Sequence, residues 1–149
     1  MTTIAANLNE MCGDLQFTIN QSLMTKGKTK VFRIKANDLH YNKDFIIGFC
    51  GQASEIMDVV DFYEHPEDYK QFPKTRNLLG LILTEDKRIF QFDTPSKWIA
   101  VCGGYAAIGS GASAAYGALH MGATPRQAVL AATKVDPYTG MGTRLIKFR

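Results

Sequence analysis

The sequence predicts an α+β fold built mainly from antiparallel strands. Three observations carry that prediction: short β-prone runs joined by turn residues at hairpin spacing, a single amphipathic helix between two sets of strands, and two consecutive helices before a final strand. With 149 residues, 46% hydrophobic and 21% charged, the chain is expected to form one soluble domain, residues 1–149. A domain of that size buries about two thirds of its unfolded surface and needs no covalent staples.

Residues 2–6 are β-prone, Asn7-Leu8-Asn9-Glu10 supplies turn residues, and 11–18 resumes the strand pattern, so the chain opens with a hairpin. Lysine or arginine alternates with apolar residues over 29–34, a polar stretch follows over 37–44, and 45–50 is continuously apolar, as a strand covered on both faces would be. Ile56, Val59, Val60 and Tyr63 recur at helical spacing, predicting a helix from Gln52 to His65, where Pro66 ends it. Segments 78–83 and 88–92 flank Thr84-Glu85-Asp86-Lys87 and read as a hairpin. A glycine-interrupted strand region covers 98–108, and an alanine-rich helix covers 112–121, closed by Gly122. Thr124 caps the next helix, 126–134, with Pro125 at its first position, and 144–148 is a last strand.

Several function classes are disfavoured. A net charge of +3 is too small to argue for nucleic acid. The start of the chain has no signal-peptide pattern, and the longest stretch without a charged or amide side chain, 98–110, is too short to cross a bilayer. Cys12, Cys50 and Cys102 form no C-x-x-C pair, which fits reduced thiols in a cytoplasm. His40, His65 and His120 lack metal spacing and read as surface or capping residues; no metal or cofactor is expected. Gly109-x-Gly111-x-x-Ala114 matches a dinucleotide fingerprint by letter, but a second helix follows where a strand and an acidic residue are required.

Thr2 stands out. Methionine is generally removed before a small second residue, which would leave Thr2 as the terminal residue at the start of a strand. Its hydroxyl is then a nucleophile and its own amine, with a reference pKa of about 7.7–8.0, a base near neutral pH. A retained Met1 would acylate that amine and remove the base.

The surrounding motifs fall in a familiar order: Thr2-Thr3-Ile4, Gly13-Asp14-x-Gln16-x-Thr18, Lys30-Val31-Phe32-Arg33-Ile34, Ile46-Ile47-Gly48, Gly109-Ser110-Gly111 and Asp136-x-x-Thr139-Gly140. In these, over nearly its whole length, the chain resembles proteasome β-type and HslV-like N-terminal-nucleophile (Ntn) hydrolases, which are threonine peptidases. The resemblance implies a four-layer αββα sandwich. It also implies Thr2 as nucleophile, Lys30 beside it, Asp14 holding that lysine, Ser110, Asp136 and Thr139 around the amine, and the Gly48 N–H as oxyanion donor. Thr18 would contact the substrate backbone, and Ile46, Phe32 and Lys28 would line an apolar pocket for the residue before the cut.

The implied partners are further copies of the chain in a hexameric or heptameric ring, in one ring or two, an AAA+ unfolding ATPase, and unfolded polypeptide as substrate, with no nucleic acid and no membrane. Residues 51–78 leave room for one long helix where the family has two, so a reduced first helical layer is expected, and the segment between Lys30 and Gly48 is longer than usual. The alternatives are a catalytically silent assembly protein of the same fold and a small-molecule amidase with the same nucleophile.

Overall fold

The computed structural model describes residues 2–19, 23–27, 29–36 and 42–148, with the backbone alone at 19 and 23–26. In chain order the elements are β1 (Thr3–Asn7), β2 (Glu10–Asp14), β3 (Gln16–Ile19), β4 (Leu23–Lys26), β5 (Val31–Ile34), β6 (Phe45–Gly51), α1 (Ala53–Glu64), β7 (Leu78–Thr84), β8 (Ile89–Phe92), β9 (Ile99–Ala100), β10 (Tyr105–Gly109), α2 (Ala112–His120), α3 (Pro125–Thr133) and β11 (Thr143–Lys147).

Local chemistry accounts for most boundaries. The Asn7 side-chain oxygen accepts the N–H groups of Asn9 and Glu10 at 2.9 and 3.0 Å and so closes the β1–β2 turn. Thr124 and Gln127 form a reciprocal capping box with Pro125 at the first position of α3. Two expected strands divide instead. The 11–18 run breaks at Leu15, whose N–H turns to the carbonyls of Gly140 and Gly142, so β2 stays in one sheet and β3 leaves to pair with β4. The 98–108 region splits at Gly103 and Gly104 into β9 and β10, which join different sheets.

Beside the two-stranded β3–β4 sheet stand two larger antiparallel sheets, one ordered β10-β1-β2-β11 and one β5-β6-β7-β8-β9. Ile4, Met11, Val31, Ile46, Leu81, Leu83 and Ile108 fill the space between them. α1 covers the outer face of the five-stranded sheet, with Ile56, Val59, Phe62 and Tyr63 packed among Phe45, Ile47, Phe49 and Ile82. α2 and α3 cover the other sheet through Ala115, Leu119, Ala128 and Val129 against Ala5, Cys12 and Ala107. This is the αββα sandwich the resemblance implied, and β6 is buried on both faces as its apolar run predicts.

The first helical layer is reduced to α1 and a short 3-10 turn, Pro66–Asp68. Aromatic side chains pack against α1 and the sheet beneath it. Phe72 packs on Phe62 with ring centroids 4.1 Å apart, Trp98 packs on Phe45 at 5.1 Å, and the Trp98 indole N–H donates to the Tyr63 hydroxyl at 3.1 Å.

Gly48 lies at the middle of β6, opposite Val31 on one side and Leu81 on the other. A Cβ there would stand 2.6 Å from Ile4 Cγ2 and 2.8 Å from Met11 Sδ, so its missing side chain lets the two sheets approach. Gly48→Ala is expected to lower stability by ~1–3 kcal/mol through overpacking, read as a lower denaturation midpoint at unchanged m-value.

Candidate active site

Thr2 leads into β1 and is held by its carbonyl, which accepts the Ser110 N–H at 2.8 Å. Gly109, at φ +103°, makes that contact feasible, because a Cβ there would lie 1.9 Å from the Thr2 oxygen. Asp14, the last residue of β2, has its carboxylate fully buried beside Thr2.

Lys30, just before β5, extends its ammonium into the same place. Its Nζ donates to Thr2 Oγ1 at 2.5 Å, to Asp14 Oδ1 at 3.2 Å and to the Gln16 carbonyl. The Thr2 hydroxyl in turn donates to Asp14 Oδ1. The backbone N–H groups of Thr3, Gln16 and Gly140 complete the carboxylate's set at 3.1, 3.3 and 3.1 Å. Burial pushes the Asp14 carboxyl above its ordinary value and pulls the Lys30 ammonium below its own, while the attraction between the two opposes both shifts.

A second network adjoins the first. Asp136 Oδ2 accepts the hydroxyls of Ser110 and Thr139, each at 2.5 Å, and Oδ1 accepts the Tyr138 N–H at 3.1 Å. Thr139 Oγ1 also meets Thr3 Oγ1 at 2.7 Å, and Ser110 Oγ reaches the Thr2 carbonyl at 3.4 Å. Burial acts to raise Asp136, but these donors outweigh it and hold the carboxyl below its ordinary value. The Cys50 thiol, close behind Gly109, is pushed far up by burial and stays neutral.

Thr2, Gln16, Phe17, Thr18, Lys30 and Gly51 line a small cavity of about 30 Å³. Thr18 Oγ1 is buried with no hydrogen-bond partner among the described residues. The predicted residues Thr2, Asp14, Lys30, Ser110, Asp136 and Thr139 therefore come together, with Thr18 at the cavity wall.

Other expected residues sit elsewhere. Phe49 N–H donates to the Lys30 carbonyl at 3.0 Å, so the alternation of an antiparallel pair turns the neighbouring Gly48 N–H away from β5 toward Leu81 in β7. It is a ladder residue serving sheet contact and is not aimed at Thr2. Ile46 is fully buried between the sheets, and Phe32 packs on Phe49 beside the α1 core with centroids 6.0 Å apart, so neither lines the cavity. Lys28 and His40 lie outside the described residues. His65 faces Glu67 at 3.9 Å at the exposed end of α1, and the His120 ring meets the Tyr105 hydroxyl at 2.8 Å, both away from the site.

Sequence reasoning missed Phe17, Gly51 and the Thr3 hydroxyl as site components. Gly51 ends the apolar run of β6 at φ +144°, and a glycine closing such a run is the signal that could have marked it.

No protein-family model and no curated protein matches the sequence. The structure is similar to HslV from Trypanosoma brucei, with 21% identity, 98% of this chain and 99% of that chain covered and a TM-score of 0.70. It is similar to BPH of Thiobacillus denitrificans in complex with epoxomicin, with 15% identity, 99% and 97% coverage and a TM-score of 0.68. It is also similar to the Anbu complex from Pseudomonas aeruginosa, described as a helical assembly, with 9% identity, 100% and 81% coverage and a TM-score of 0.69. The fold is that of the proteasome-like Ntn hydrolases. No helix among the described residues is long and apolar enough to cross a membrane.

Because the folded state holds Asp136 below its ordinary 3.8, its contribution to stability is present above that value and is lost as pH falls through the lower folded value. The difference in Tm between the parent and Asp136→Asn should accordingly be constant above pH 5 and shrink below about pH 3.8; a difference that does not vary with acidity would contradict the assignment.

Proposed function

We propose that the chain is a threonine-type endopeptidase subunit with Thr2 as its nucleophile. The observation that carries this reading is the Thr2 hydroxyl held between the Lys30 ammonium and the Asp14 carboxylate at the wall of a cavity. Once Met1 is removed, the freed amine of Thr2 takes the hydroxyl proton as Oγ1 attacks a peptide carbonyl carbon. The carbonyl π pair moves to oxygen, then returns to expel the amine product, which receives that proton and leaves an ester on Thr2. A water molecule, deprotonated by the same amine, cleaves the ester and regenerates the hydroxyl.

The chain's own groups stabilise each step. The Lys30 ammonium lowers the basicity of the neighbouring amine and offsets developing negative charge. Ser110, Asp136 and Thr139 orient the terminal residue through its carbonyl and through Thr3. The oxyanion is received by the Gly51 N–H, which follows Phe49 by two residues on β6 and so is directed to the same side, past Lys30 and toward the cavity.

BPH of the same fold is recorded in complex with epoxomicin and Anbu as a helical assembly. Those names support an epoxomicin test and a self-associating protein. We place the subunit in a closed ring with its sites inward, fed with unfolded chains by an AAA+ ATPase, in the cytoplasm.

Protein whose intact mass shows loss of Met1 should hydrolyse fluorogenic peptides and gain the mass of epoxomicin on Thr2. Thr2→Ala should lose both, at least about a thousandfold in kcat/KM, while Thr2→Ser keeps adduct formation. The alkaline limb of the activity profile should fall below 10.5, because burial makes Lys30 lose its proton sooner than a free lysine. Full retention of Met1 with no hydrolysis would instead establish the catalytically silent reading.

A further inference from the structure

The cavity beside Thr2 is small. Its volume of about 30 Å³ accommodates two or three water-sized groups, at ~10–15 Å³ each. A methyl group fills that space as the side chains stand, whereas a branched or aromatic side chain needs the wall to move or must extend past the cavity mouth. The nucleophile fixes which substrate side chain must enter it. The α-carbon next to the attacked carbonyl lies one bond from it, so the side chain on the acyl side of the scissile bond is the substrate group that starts nearest this space.

Phe17 sets the size. Its ring lies 4.7 Å from Lys30 Nζ, a cation–π distance, and its Cδ2 and Cε2 atoms pack against Gly27. A Cβ on Gly27 would come within 1.9 Å of Phe17 Cδ2, so the ring occupies the space that any side chain at 27 would need. Gly27 is itself tied down by its N–H to the Leu15 carbonyl at 2.8 Å. The ring is thus wedged between a fixed backbone and the buried ammonium, and it cannot swing aside without losing both contacts. Ile46 and Phe32 cannot enlarge the cavity, since they face the inter-sheet core and the α1 core.

We propose that Phe17 is the specificity-determining residue of the Thr2 site and restricts the residue on the acyl side of the cut to glycine or alanine. The proposal rests on the peptidase reading above. The polar contacts of Lys30 go to Thr2, Asp14 and Gln16, and the Phe17 ring covers it, so it does not recruit acidic side chains.

The test uses full-length protein lacking Met1 and a series of fluorogenic peptides that differ only in the residue before the cleaved bond: glycine, alanine, leucine or phenylalanine. The parent should prefer alanine to leucine by about tenfold or more in kcat/KM. Phe17→Ala should reverse that ratio by opening the space, and Phe17→Leu should give an intermediate value. The readout is a ratio within one protein, so a change in Lys30 basicity on losing the ring cancels. If Phe17→Ala does not fold, as judged by circular dichroism, Phe17→Leu carries the comparison. Equal cleavage of alanine and leucine substrates by the parent, or a ratio unmoved in the folded variants, overturns the proposal while hydrolysis and the epoxomicin adduct keep the peptidase reading intact. No hydrolysis and no adduct in the parent overturns both.

Discussion

The buried pair of Asp14 and Lys30 is the interaction on which the rest of the site depends. Asp14 is fully buried, yet both its oxygens are engaged by a hydroxyl, an ammonium and three backbone N–H groups. Those donors come from β1, β3, the residue before β5 and the loop before β11, so one carboxylate ties four separate segments to the end of β2. Removing one member of such a pair typically costs about 3–5 kcal/mol, because the partner charge is left buried without compensation, whereas exchanging the pair for apolar residues is often neutral. Its effect is therefore mainly geometric: it sets where the Thr2 hydroxyl sits and where Lys30 can point.

The pair also explains why the strand through residues 11–18 cannot run on. Asp14 needs N–H donors from Gln16 and Gly140, and Leu15 turns its own N–H to the same loop. The chain leaves the four-stranded sheet at that point and enters the β3–β4 hairpin, which brings Gln16, Phe17 and Thr18 over Thr2. Polar satisfaction in the interior thus decides the path of the backbone, and the path decides which side chains form the cavity.

A second constraint acts between the sheets. Gly13 and Gly48 both lack the Cβ that would strike Ile4, at 2.6 Å in each case, so the Ile4 side chain fits against β2 and the facing β6 without overlap. That approach brings Thr2, just before β1, to Lys30, just before β5 of the facing sheet. On the outer side, the aromatic cluster of Phe62, Tyr63, Phe72 and Trp98 seals the core where the helical layer is short. The reduction thereby lies on the α1 side of the five-stranded sheet, while the nucleophile leads into a strand of the other sheet.

The sequence by itself determined the elements and the polar constellation. Turn residues, the Thr124-Pro125 cap and helical spacing act locally and are readable one segment at a time, and the order of the short motifs around Thr2, Asp14, Lys30, Ser110, Asp136 and Thr139 marked the residues that do converge. Only the tertiary structure decided the parts that depend on register. Whether a strand residue faces a core, a neighbour's ladder or a cavity changes with a shift of one residue, which is why Gly48, Ile46 and Phe32 fall away from the cavity while Gly51 and Phe17 line it. The break at Leu15 and the split of 98–108 into two sheets follow from hydrogen bonds to residues more than a hundred positions away, or from pairing partners in different sheets, and no local pattern encodes either.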